Sequence, residues 1–185
     1  MKLYKIYSRA IGLLFALSLL CVGCENEDIL DINDLEISPS NPESVVIVEP
    51  DDGITSVNAL TKAINENGDA TYILRRDGVY YMEGKNVFKH NVVIKAENGS
   101  GKMPIIQPIC DAQGALNADM IRLEGSATFE NIYIIGKDAA TGNLMQRLFR
   151  IDESNVRLKF DNCFIDHCRN FCIRTDNVNN KIYLN

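Results

Sequence analysis

The sequence predicts an all-β fold, a right-handed parallel β-helix closed at its start by a short helix. Three observations carry this. Beyond Gly68 the chain runs as short apolar stretches separated by Gly, Asn and Asp turns. An Arg-centred tetrapeptide recurs as Ile121-Arg122-Leu123-Glu124, Phe149-Arg150-Ile151-Asp152 and Ile173-Arg174-Thr175-Asp176, its arginines 28 and then 24 residues apart. A second motif follows each copy: Phe129-Glu130-Asn131, Phe160-Asp161-Asn162 and, more weakly, Tyr183-Leu184-Asn185. Two or three short strands per repeat of roughly two dozen residues describe one coil of a solenoid. A β-sandwich or barrel of similar strands is the alternative.

The first segment has the three parts of a signal peptide, assigned to residues 1–23. Lys2, Lys5 and Arg9 give a charged start, Ile11 to Val22 form an apolar run of twelve, and Gly23 is small. A bilayer span needs about 20 apolar residues, so this run is too short to be one. Cys21-Val22-Gly23-Cys24 resembles the bacterial lipobox, although Cys21 stands where that motif usually has Leu. The resemblance implies cleavage before Cys24 and acylation of its thiol. Acyl chains bury methylenes at ~0.8 kcal/mol each, so two or three chains anchor a protein stably. Glu25, Glu27 and Asp28 follow directly and resemble the surface-export signal of Bacteroidota-type lipoproteins. That resemblance implies an outer-membrane or cell-surface location.

Charge is unevenly placed. The chain carries −6 overall, with +3 in residues 1–24 and ten acidic residues without a Lys or Arg from Glu25 to Asp52, which leaves +1 for residues 53–185. A near-neutral domain has no general field to attract nucleic acid, so nucleic acid is not an expected partner. Residues 24–54 are read as an acidic, solvated tether ending in a first strand, Val45 to Val48.

Residues 55–185 are the predicted solenoid. Ala59, Leu60, Ala63 and Ile64 share one helical face, with Thr55 or Ser56 as N-cap and Gly68 as stop. An amphipathic helix here covers the open interior of the first coil. Period-two alternation then points Ile121 and Leu123, Phe149 and Ile151, and Ile173 and Thr175 inward in stacked columns. Ile132 over Cys163 and Ile134 over Ile165 make two more, with Asn131 and Asn162 forming an amide ladder at a turn. Asn91-Val92-Val93-Ile94 reads as an earlier copy of Asn131-Ile132-Tyr133-Ile134.

Residues 55 to 98 resemble the start of the β-helical polysaccharide lyases, the pectate lyase, chondroitinase B-like and alginate lyase group, with related uncharacterised lipoproteins. The resemblance rests on Leu60, Ala63-Ile64, Gly68-Asp69, Tyr72 to Leu74 and Gly78-Val79-Tyr80, followed by strands at Val92 to Lys95 and Pro104 to Ile106. Asn67 departs from a frequent Pro. These are scaffold motifs. The group's catalytic Lys and Arg and its calcium-binding carboxylates lie on middle coils, so no catalytic residue carries over. The expectation is a C-terminally incomplete β-helix, inactive alone, with a calcium-assisted lyase reaction only in a complete protein. No cofactor is expected in this portion.

Arg122, Arg150 and Arg174 should form an outward row. One reading is an ion-pair lattice with Glu124, Asp152 and Asp176, and the other is a guanidinium row that binds uronate carboxylates of an acidic polysaccharide. Tyr133 and Phe164 should be outward neighbours, able to stack on sugar rings or to lie under the connection from Lys137 to Gln146, which is the expected arrangement. Cys163, His167, Cys168 and Cys172 fall within ten residues, but without paired C-x-x-C spacing no metal site is expected. A disulfide between Cys168 and Cys172 stays open. His90, His167, Asp161 and Asp166 form no recognisable catalytic set. The functional expectation is therefore an exported, membrane-anchored protein that binds or processes extracellular polysaccharide. The alternative is a purely structural or adhesin-like solenoid.

Overall fold

Each strand among the described residues pairs in parallel with the strand one coil before or after it. The computed structural model describes residues 44–185. The predicted signal segment, Cys24 and the acidic run up to Glu43 lie outside the described residues. Fourteen short strands occur in these residues: β1 (Val45–Val48), β2 (Ala70–Leu74), β3 (Val79–Glu83), β4 (Asn86–Phe88), β5 (Val92–Ala96), β6 (Ile105–Ile109) and β7 (Asp119–Leu123) come first. They are followed by β8 (Ala127–Glu130), β9 (Tyr133–Ile135), β10 (Arg147–Ile151), β11 (Arg157–Asp161), β12 (Phe164–Asp166), β13 (Phe171–Thr175) and β14 (Lys181–Leu184). Among the described residues one helix, α1 (Ala59–Asn67), precedes β2.

The strands sort into three sheets, ordered β1-β2-β5-β8-β11-β14, β3-β6-β9-β12 and β4-β7-β10-β13. From β2 onward the chain visits the three sheets in strict rotation, so three consecutive strands make one coil. This is an all-β parallel solenoid. The predicted register holds where the motif is strongest: Arg122 faces Arg150, which faces Arg174, while Ile121, Phe149 and Ile173 align beside them. Ile134 aligns with Ile165, and the Asn162 side-chain amide donates to Asn131 Oδ1 at 2.6 Å. Both asparagines have positive φ, 58° and 48°. That backbone suits Asn at a corner because its short polar side chain tolerates the left-handed region.

Two registers differ from expectation. Val92 and Ile94 pair with Ala127 and Phe129, not with Ile132 and Ile134, and the Ser126 amide donates to Asn91 Oδ1. Asn91 thus opens a strand of the first sheet, where Ser126 is its counterpart. Phe160 pairs with Leu184, one residue beyond Tyr183. Gly125 lies beside the Asn91 corner, where a Cβ would collide with the His90 carbonyl.

The interior is one continuous apolar core built of stacked columns. Tyr72, Ile94 and Phe129 are fully buried and consecutive in register, and Phe160 (2 % exposed) follows. Tyr80, Ile106 and Ile134 form a second such column. Each buried aliphatic or Phe side chain contributes about 1.5–3 kcal/mol. The helix closes the first coil, with Leu60 and Ile64 wholly buried and Gly68 (φ 72°) ending it.

Its start is built otherwise than expected. Asn58, with φ 63°, occupies the N-cap position, but its side chain accepts no cap hydrogen bond. The Ala59 amide is taken instead by Asp51 Oδ1 at 3.2 Å, whose Oδ2 accepts from the Tyr81 amide at 3.0 Å. Asn58 uses its amide group on the backbone of Glu83, and Thr55 and Ser56 bond Asp52. Asp51 is therefore part of the fold and not of a solvated tether. Burial pushes its carboxyl up, only partly offset by the two amides.

Glu97 fixes the other side of the early coils. It accepts from the Arg76 amide at 2.8 Å and from Arg75 at 3.1 Å, and Arg75 also reaches Glu49 at 2.9 Å. The Arg76 amide first, and Arg75 next, hold the Glu97 carboxyl below its ordinary range. A depressed folded-state pKa gives stability that is present above the unfolded pKa and lost as pH falls through the folded one. Melting temperature should therefore drop on acidification below the ordinary glutamate range of about 4.3. In Glu97→Gln that acid limb should be shallower. Parallel melting curves for the two proteins across this range would refute the assignment.

Candidate functional site

Two outer faces carry the predicted site residues, and they differ in what their side chains have left to offer. On the β4-β7-β10-β13 sheet the arginines form a closed ion-pair chain. Asp119, fully buried, meets Arg122 at 2.9 Å and Arg147 still more closely. Arg122 continues to Asp152 at 3.3 Å. Asp152 meets Arg150 at 2.6 Å, and Asp176 lies 3.8 Å from Arg150 and 3.1 Å from Arg174. The approach of Arg150 Nε to Asp152 is ionic without hydrogen-bond alignment.

Stacked like charges one coil apart repel, and an acid sits between each pair of guanidinium groups. The lattice reading of Arg122, Arg150 and Arg174 is thus the one the geometry bears out. One partner differs from expectation: Asp119, not Glu124, neutralises Arg122. Arg147 also belongs to the chain, although the tetrapeptide motif does not include it.

On the β3-β6-β9-β12 sheet the outward column reads Val79, Ile105, Tyr133, Phe164 in continuous register. Parallel pairing sets these side chains above one another because they share one parity along their strands. Tyr133 and Phe164 meet edge to face, ring centroids 6.2 Å apart. Phe164 is 63 % exposed. The two rings floor an open groove of about 700 Å³ lined also by Lys102, Met103, Ile105 and Asp166.

The Tyr133 hydroxyl donates to Asp166 Oδ2 at 3.4 Å. Burial first, and the Asp166 carboxylate second, raise its phenol above the ordinary range, so it remains a donor. Asp166 also holds His167, through the His167 amide and Nδ1, both at 2.7 Å. Lys102 makes no ion pair among the described residues. The arrangement combines an apolar floor with a few polar groups at its ends, the usual make-up of a small-ligand site.

The loop expected to cover this pair lies elsewhere. Lys137 bridges Leu144 in antiparallel fashion. Asp138 organises the turn by accepting from the Thr141 amide and hydroxyl and from the Cys110 amide. Burial pushes the Asp138 carboxyl up, but these donors outweigh it and the net shift is downward. The loop therefore docks on the Cys110 corner and leaves Tyr133 and Phe164 open.

The remaining candidates are scattered. His90 pairs with Asp69 at 3.3 Å. Cys163 points inward, its sulfur 3.3 Å from the Phe129 and Asp161 carbonyls, and burial raises its thiol. Lys102 and Met103 were not singled out from sequence. They arrive at the groove through the turn before β6, and no local motif marks them.

No family model matches this chain, and no curated protein matches it at a significant level.

Proposed function

We propose that the Tyr133–Phe164 groove binds carbohydrate, and that the protein presents it outside the cell as a lipid-anchored solenoid. The single observation behind this reading is the aromatic pair on the groove floor, Phe164 exposed and Tyr133 half-buried, with the ammonium of Lys102, which makes no ion pair among the described residues, at its edge. The C–H faces of a pyranose ring pack on aromatic faces. Lys102 would meet a uronate carboxylate and Asp166 a sugar hydroxyl, so an acidic polysaccharide fits the polar ends. Anchorage follows from the Cys21-Val22-Gly23-Cys24 motif, and labelled palmitate should enter the wild-type chain but not Cys24→Ala.

Retention on a polygalacturonate affinity gel tests the groove. Tyr133→Ala and Phe164→Ala should each weaken it roughly tenfold, about 1.4 kcal/mol, while circular dichroism stays unchanged. Arg150→Ala removes a neutralised guanidinium from a different sheet and should leave retention within about twofold. The reverse ranking would move the site to the arginine row. Absence of any retention by the wild type would favour the purely structural solenoid.

A further inference from the structure

Cys168 lies in the turn between β12 and β13, and Cys172 is the second residue of β13. Their sulfurs are 2.9 Å apart. Both side chains are half-buried and packed against the core. The framework imposes this closeness. The Arg169 amide donates to the Met145 carbonyl at 2.8 Å, and the Asn170 and Phe171 amides donate to the Gln146 carbonyl at 3.1 and 3.2 Å. At the head of the turn the Gly136 amide donates to the Asp166 carbonyl at 2.9 Å. The whole segment from Asp166 to Phe171 is thus tied to the preceding coil, and the two thiols are held facing each other.

We infer that Cys168 and Cys172 are a disulfide-forming pair, a covalent staple for the corner that carries the outermost strands β12 and β13. Cys163 is the competing thiol, but its sulfur faces the Phe129 and Asp161 carbonyls. The inference stands whether or not the groove binds a glycan.

The chemistry balances with a small-molecule disulfide as oxidant. The Cys168 thiolate attacks one sulfur of the oxidant, forming a mixed disulfide and expelling one thiolate. The Cys172 thiolate then attacks Cys168 Sγ, forming the intramolecular bond and expelling the second. Two cysteine thiols lose two electrons, and the oxidant is reduced to two thiols that take up both protons. Burial first, and Cys168 second, push the Cys172 thiol up to about 11. Cys172 therefore gives up its proton only as it attacks the mixed disulfide at Cys168 Sγ.

The five-residue ring from Cys168 to Cys172 removes conformational freedom from the unfolded chain. The same corner carries Phe164 and Asp166, so closing the bond also steadies that end of the outer groove.

The test uses the full chain incubated with oxidised glutathione, blocked with an alkylating reagent and digested with trypsin. Cleavage after Lys159, Arg169 and Arg174 places Cys163 and Cys168 on residues 160–169 and Cys172 on residues 170–174. The expected product is these two peptides joined, two hydrogens lighter than their sum, with Cys163 alkylated. Cys163→Ser should keep the link and Cys168→Ser should lose it. Melting of the oxidised chain should lie several degrees above that of the reduced chain. Recovery of separate peptides alkylated at Cys168 and Cys172, or a link through Cys163, would overturn the pairing. Equal melting of the two forms would overturn the staple.

Discussion

Phe129→Ala is expected to destabilise the protein by about 3–5 kcal/mol, the range for removing a buried phenylalanine. Phe129 has no exposed surface. Its ring stacks on Phe160 with centroids 5.5 Å apart and meets Phe149 edge-on at 5.4 Å, and Phe149 in turn meets Phe160 at 5.3 Å. These three rings come from two sheets and two successive coils, so one truncation opens a cavity shared by all of them. The coil above contributes Ile94 and the coil below Phe160. Both are held by their own backbone ladders and cannot collapse into the space. Such a loss is a large part of the 5–15 kcal/mol that holds a typical domain. Phe164→Ala, at an exposed ring, should change stability by less than about 0.5 kcal/mol. Denaturant titration of both variants measures the contrast. Similar midpoints would mean that Phe129, Phe149 and Phe160 do not share one dry interior.

The strong parts of this fold were legible because a stacked coil repeats both its parity and its contacts. Ile121, Phe149 and Ile173 alternate with arginines in three copies, and alternation in a strand has only two outcomes, inward or outward. The helix was legible from Leu60 and Ile64, but its cap was not. Asp51 captures the Ala59 amide from eight residues away, across a turn built on Asp52, and no local pattern encodes that reach.

Asn91 reads as a copy of Asn131 because Asn followed by alternating apolar residues opens strands of more than one sheet, and its strand in fact pairs with Ala127 to Glu130. The discriminating partner, Ser126, does not resemble it. The open groove was missed for a related reason. Length showed that the segment from Lys137 to Gln146 is a loop, but its direction depends on Asp138 bonding Cys110, 28 residues earlier. Asp119, in contrast, did leave a signal. It shares the inward parity of Ile121 and Leu123, and the spacing of 28 that relates Arg122 to Arg150 also relates Asp119 to Arg147.

That pairing leads to the second large effect: Asp119→Ala should cost about 3–5 kcal/mol, the penalty for leaving the partner of a buried ion pair uncompensated. The Asp119 side chain has no exposed surface, and Arg147, which donates to it, is 13 % exposed. Arg122 donates to the other oxygen at 3.1 Å through Nε. Removing the carboxylate leaves Arg122 with Asp152 alone and strands Arg147, which has little water to turn to. At the far end of the same chain, Arg174 and Asp176 are 42 % and 50 % exposed. Asp176→Ala should therefore cost no more than about 1 kcal/mol. The comparison separates burial from charge, because both substitutions remove one aspartate from the same lattice.

A double variant, Asp119→Leu with Arg147→Met, sharpens the distinction. Replacing a buried pair with apolar side chains of similar volume is often neutral or stabilising, so the double variant should recover most of the stability lost in Asp119→Ala. Chemical denaturation of the three proteins and the parent gives the answer. If Asp119→Ala proves no more costly than Asp176→Ala, the lattice is uniformly solvated, and its inner rung contributes nothing beyond a surface ion pair.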